Sequence, residues 1–147
     1  PMRILLCNDD GVTAQGIVAL HDALTGGPRG PLGEVFVVAP LTVQSATGHG
    51  VTFREPLMVT TTDVNERMTA VAVDGRPADC VKLALAELWP ARYGKGSRPD
   101  LVISGMNMGA NVGINVLYSG TCAAAIEAAF LGVPSVAVSL HIGTSRP

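Results

Sequence analysis

A chain of 147 residues has the length of one domain and is long enough to bury a sizeable core. Apolar residues make up 48% and charged ones 15%, which argues against disorder, and 17 glycines suit a helix-covered sheet joined by tight loops. Ten basic against twelve acidic residues leave a net charge of -2, without a Lys or Arg run, so the electrostatic footprint of a nucleic-acid or membrane-surface protein is missing and small ligands are favoured.

The first element expected is a strand over residues 3–7 (RILLC), aliphatic without alternation and therefore buried on both faces. It stops at Asn8, Asp9 and Asp10. Gly11 permits a tight turn, Thr13 is an N-cap candidate, and Ile17, Leu20, His21 and Leu24 recur at helical spacing. The two carboxylates thus fall in a strand-to-helix loop, where open parallel α/β sheets bind ligands. Adjacent carboxylates repel each other unless a cation or a proton stands between them. A hard divalent ion meets that need, while capping of turn amides is the plainer reading, and the pair alone does not choose.

Residues 26–33 (GGPRGPLG) form a turn-rich connection to a second buried strand over 34–39, closed by Pro40, which completes a βαβ unit. The next loop, 41–50 (LTVQSATGHG), is too long and polar for a plain connector. Ser45 offers a hydroxyl to a metal or phosphate, or is an ordinary loop serine; His49 is an acid, a base or a loop residue. Stretches 57–62 and 68–73 read as antiparallel or edge strands. Pro77 suits the first position of a helix over 78–88, with Asp79 as a first-turn acid and Trp89 and Tyr93 packing at its end.

A third core strand over 101–104 runs into the loop 105–113 (GMNMGANVG). Its glycines let backbone approach a ligand, and Asn107 and Asn111 supply amide groups. Neither a Walker A nor a GxGxxG dinucleotide pattern is present there. Ser119 or Thr121 caps a helix over 122–131, ended by Gly132 and Pro134, and that helix start is also an anion site. A last strand covers 135–140. Cys7, Cys80 and Cys122 lie far apart outside any zinc or CxxC pattern, and read as thiols of a reducing cytoplasm; Cys122, near a helix start, lacks a nearby His to make it a nucleophile. No leader pattern or membrane-length apolar run is found, so a soluble, cytoplasmic single domain over residues 1–147 is expected.

In a doubly wound sheet the loops 8–11, 44–50, 104–111 and 119–121 converge on one edge. They bring two carboxylates, a hydroxyl, an amide oxygen and glycine-rich backbone, the donors of a hard-cation site beside a phosphate pocket. No Lys or Arg lies among them, which leaves charge neutralisation to the metal.

The motifs NDDG at 8–11, QSATGH at 44–49, DGRPADCVKLAL at 74–85, SGMNMGANVG at 104–113 and YSGT at 118–121 resemble the stationary-phase survival protein (SurE) nucleotidases over almost the whole chain. The resemblance implies an α/β fold of three layers, αβα, on a Rossmann-like, mostly parallel sheet. It implies a metal-dependent phosphomonoesterase, a 5'/3'-nucleotidase of acid-phosphatase type acting on nucleoside monophosphates. One divalent ion, Mg2+ or Mn2+ with Ca2+ able to replace it in crystals, is held at positions matching Asp9, Asp10, Ser45 and Asn107. Asp9 and Asp10 carry catalysis, and Asn8, Ser104, Gly105, Asn111, Ser119, Gly120 and Thr121 match positions around the phosphate.

A homodimer or homotetramer is implied as well, with no nucleic-acid or membrane partner, and the chain is expected to lack the family's C-terminal hairpin and helix. The segment Leu41-Thr42-Val43-Gln44 departs from the charged residues usual after that proline. The alternative function is a non-catalytic metal and nucleotide sensor using the same pocket. A haloacid-dehalogenase-type phosphatase needs its acids two apart, unlike the adjacent pair here.

Overall fold

The computed structural model describes residues 1–44 and 56–143. Strands are β1 (Met2–Cys7), β2 (Gly33–Pro40), β3 (Val59–Asp63), β4 (Thr69–Val73), β5 (Leu101–Met108) and β6 (Ser135–Leu140); helices are α1 (Gln15–Gly26), α2 (Pro77–Leu83), α3 (Trp89–Tyr93) and α4 (Gly120–Phe130). One six-stranded sheet runs in the order β3-β4-β2-β1-β5-β6. Every neighbouring pair is parallel except β3 against β4. The fold is therefore the mostly parallel, Rossmann-like αβα arrangement expected.

The aliphatic run of β1 explains why the sheet is covered twice. Ile4, Leu5, Leu6 and Cys7 are all fully buried. Successive strand side chains point to opposite faces, so Ile4 and Leu6 meet Ile17 and Leu24 of α1, while Leu5 and Cys7 meet Val81, Trp89 and Ala124 from α2, α3 and α4. Each buried Leu, Ile or Val among them contributes about 1.5–3 kcal/mol of transfer free energy. The helical face is closed by aromatics: Trp89 stacks 4.4 Å from Tyr93 and 6.0 Å from Phe36, ring centroid to centroid, in agreement with the packing role expected.

Three boundaries differ from the sequence reading. Thr13 does not cap α1; Ala14 N–H donates to Gly11 carbonyl oxygen at 3.1 Å, so a turn intervenes and the helix starts at Gln15 behind Ala14. The single helix expected over 78–88 instead passes from α2 through a π-helical stretch, Ala84–Leu88, into α3. Pro90 follows directly, and a widened turn before a proline relieves the clash of its ring with the carbonyl four residues back. Finally, β5 does not stop at Ser104 but continues to Met108, through a bulge against β6 between Ser104 and Asn107.

The connections place the site. From β1 the chain passes through α1 to β2 on one side; from β4 it passes through α2 to β5 on the other side of β1. Strand order therefore reverses between β1 and β5, whose ends pair as Cys7 with Ser104. A crevice opens at such a reversal, beyond the carboxyl ends of the strands. Among the described residues no helix is long and apolar enough to cross a membrane.

Candidate active site

At the end of β1 the polar loop is shaped by its own first residue. Asn8 is fully buried; its Nδ2 donates to Gly11 carbonyl oxygen at 2.8 Å and its Oδ1 accepts from Gly11 N–H at 3.3 Å. Gly11 takes φ 104°, a left-handed conformation that a Cβ disfavours. Asn8 is thus spent on clasping the turn. Asn8, expected from the family resemblance at the phosphate, is not among the residues that line the cavity shared by Asp9 and Asp10.

Asp9 is almost as enclosed, 6% exposed, and the Thr121 hydroxyl donates to its Oδ1 at 2.8 Å. Burial raises its pKa above the ordinary aspartate value; the Thr121 hydrogen bond opposes this, and the charge of Asp10 pushes it further up. Backbone amides of Asp9 and Thr121 also favour the ionised form. Thr121, fully buried, therefore holds Asp9, and it is not among the residues that line that cavity. Gly120 is needed for the same approach: a Cβ there would stand 2.9 Å from Asp9 Cβ and 3.0 Å from Pro77 Cγ. Its part is to let the start of α4 close on β1.

Asp10 is half-buried, and its Oδ2 accepts from Met108 N–H at a long 3.4 Å, which ties the β1 loop to the end of β5. Asn107 Nδ2 donates to Gly109 carbonyl oxygen at 2.8 Å, so the amide oxygen is the atom left for a ligand. Asn111 Nδ2 donates to Ser139 Oγ at 2.6 Å on β6. Ser119 Oγ accepts from Cys122 N–H at 3.1 Å and so caps α4, as the sequence pattern foretold. Among the described residues the hydroxyl of the fully buried Ser104 has no hydrogen-bond partner, and a Cβ on Gly105 would run into Val138 carbonyl oxygen.

Asp9, Asp10, Asn107, Asn111 and Ser119 line one open cavity of about 280 Å3. Three loops distant in sequence meet there. The fourth is tethered at its start, where Gln44 N–H donates to Asp9 carbonyl oxygen at 2.7 Å. Ser45, a predicted metal ligand, and His49 lie outside the described residues. The cavity also includes Met108, Asn115 and Tyr118, which sequence reasoning passed over. Asn115 sits in a 3₁₀ segment, Gly113–Tyr118, that carries no apolar periodicity, and Tyr118 was read only as the lead-in to α4.

The donor chemistry fits a hard cation. Two neighbouring carboxylates, one buried and resisting ionisation, and an amide oxygen share the cavity, an oxygen-only set of the kind Mg2+ and Mn2+ prefer. Among the described residues no group of three His, Cys, Asp or Glu side chains converges, so they build no nitrogen and thiolate centre.

Comparison with known proteins accords with this geometry. A family model described as "Survival protein SurE" matches residues 4–146. The chain is 56% identical over 141 residues to a protein named "5'-nucleotidase SurE" from Rhodopirellula baltica, covering 95% of the chain and 51% of that protein. It is 52% identical over 139 residues to one of the same name from Syntrophobacter fumaroxidans, again 95% and 51%. The crystal structure of the SurE protein from Aquifex aeolicus superposes with a TM-score of 0.78 at 40% identity, covering 97% of the chain and 52% of that structure. The chain spans about half the length of the relatives it matches. Over that span it belongs to the survival protein SurE family.

Proposed function

We propose that this chain carries the active site of a divalent-metal-dependent phosphomonoesterase acting on nucleoside monophosphates. The observation that carries the reading is the meeting of Asp9, Asp10 and Asn107 in one cavity at the strand-order reversal. The names of the relatives supply the reaction class. Asp9, Asp10 and Asn107, with Ser45 as the sequence motif adds it, would hold the metal. When bound, the ion supplies polarisation of a phosphoryl oxygen and a water of lowered pKa.

The residues of the chain do the rest. Asp9 orients the attacking water and accepts its proton, a role suited to a carboxylate whose proton affinity burial has raised. Thr121 fixes one oxygen of Asp9, which keeps the carboxylate in a single orientation through the reaction. Asn111 and Ser119 line the same cavity, Ser119 as the cap at the positive end of α4, and serve the equatorial phosphoryl oxygens that gather charge in the transition state.

Phosphate release from a panel of nucleoside monophosphates, with Mn2+ and with a chelator, tests the reading. Turnover that needs the metal and falls at least about a hundredfold in Asp9→Asn supports it. Tight nucleotide binding without phosphate release would assign the pocket to a sensor, and normal turnover in Asp9→Asn would remove Asp9 from the chemistry.

A further inference from the structure

We propose that Asn115 and Tyr118 form the nucleoside-recognition edge of the cavity, with the Tyr118 ring as the stacking surface for the base; this rests on the reading of the site as a nucleotide phosphatase. The cavity is lined by the carboxylates Asp9 and Asp10 and, from the 3₁₀ segment Gly113–Tyr118, by Asn115 and Tyr118. In a 3₁₀ helix side chains at i and i+3 eclipse, so Asn115 and Tyr118 fall on one edge of that segment, and both line the cavity. Ile114 and Leu117 fall on another edge and are not part of the lining.

Both side chains are free to meet a ligand. Tyr118 is 60% exposed, and among the described residues neither its ring nor its hydroxyl, nor the Asn115 amide, has a bonding partner. A cavity of about 280 Å3 falls just below the roughly 300–1,000 Å3 that small-molecule sites occupy, so a nucleotide would extend past it, and Tyr118 is the exposed aromatic ring in its lining. Tyr118 directly precedes Ser119, the cap of α4, so the ring is held a fixed short step from the phosphate end. Asn115, one 3₁₀ turn earlier, offers a donor and an acceptor to sugar hydroxyls or a base edge.

The test compares Tyr118→Ala, Tyr118→Phe and Asn115→Ala with the unaltered protein, in Mn2+, by AMP binding and by turnover of AMP against glycerol phosphate, which has no base. Loss of one stacked base corresponds to about a ten- to hundredfold fall. Tyr118→Ala is expected to lose that much in AMP affinity and kcat/KM, with glycerol phosphate turnover and inorganic phosphate binding within about twofold. Tyr118→Phe keeps AMP affinity, and Asn115→Ala loses less than Tyr118→Ala. Equal losses on both substrates, or an unchanged AMP affinity in Tyr118→Ala, overturns the proposal. Selective loss of AMP binding in a protein that releases no phosphate from either substrate would sustain the subsite and refute the catalytic reading. Binding of neither AMP nor phosphate by the unaltered protein would refute both.

Discussion

Replacing Thr121 by Val deletes one atom group from the site and leaves the backbone amide that also favours ionised Asp9. The lost bond, 2.8 Å between two buried side chains, is a hydrogen bond to a charged acceptor, and such bonds contribute about 1.5–3 kcal/mol. The loss depends on pH in a definite direction. Burial already holds the Asp9 carboxyl above its ordinary value, so the folded chain binds that proton more tightly than the unfolded chain, and this group's contribution to stability falls as pH rises through the folded pKa. Thr121→Val removes a contribution that lowers the pKa, so it raises the folded pKa further. The variant is therefore destabilised by about 1.5–3 kcal/mol at pH above the folded pKa of both proteins, where Asp9 is ionised, and recovers as pH falls and both proteins protonate Asp9. Urea unfolding of metal-free protein, in chelator, at the highest and the lowest pH where both stay folded, measures the gap. A variant as stable as its parent at the high end, or a gap that does not narrow on acidification, would refute the reasoning.

Other outcomes follow from close packing. Gly120→Ala drives a methyl against Asp9 and Pro77 and is expected to lower stability by about 1–3 kcal/mol while reducing phosphate release, both read on one preparation. Trp89→Ala empties the centre of the aromatic cluster and costs about 3–5 kcal/mol by denaturant unfolding. Trp89→Phe loses well under that, because among the described residues the indole N–H has no hydrogen-bond partner to forfeit.

What the sequence disclosed followed from how local each signal was. The buried run at Ile4 to Cys7, the proline opening α2 and the serine cap of α4 are carried by a few neighbouring residues, and all appear as read. The partnership of Thr121 with Asp9, 112 positions apart, leaves no local trace, so the pattern at the start of α4 discloses a cap or an anion site but not the bond to a carboxylate. Asn8 is similar: its polarity marks the loop, while its two bonds to Gly11 are not written in the local pattern. The 3₁₀ segment hid Asn115 and Tyr118 because three residues per turn gives neither the helical nor the strand repeat.

The extra residue that β5 carries between Ser104 and Asn107 acts as a phase shifter. Alternation along a strand counts in twos, so one additional residue reverses the facing of everything after it. Asn107 reaches the cavity because the count was broken just upstream. A single-residue deletion at this point would leave the composition of the loop nearly intact and turn its ligand-bearing side chains toward the opposite face of the sheet.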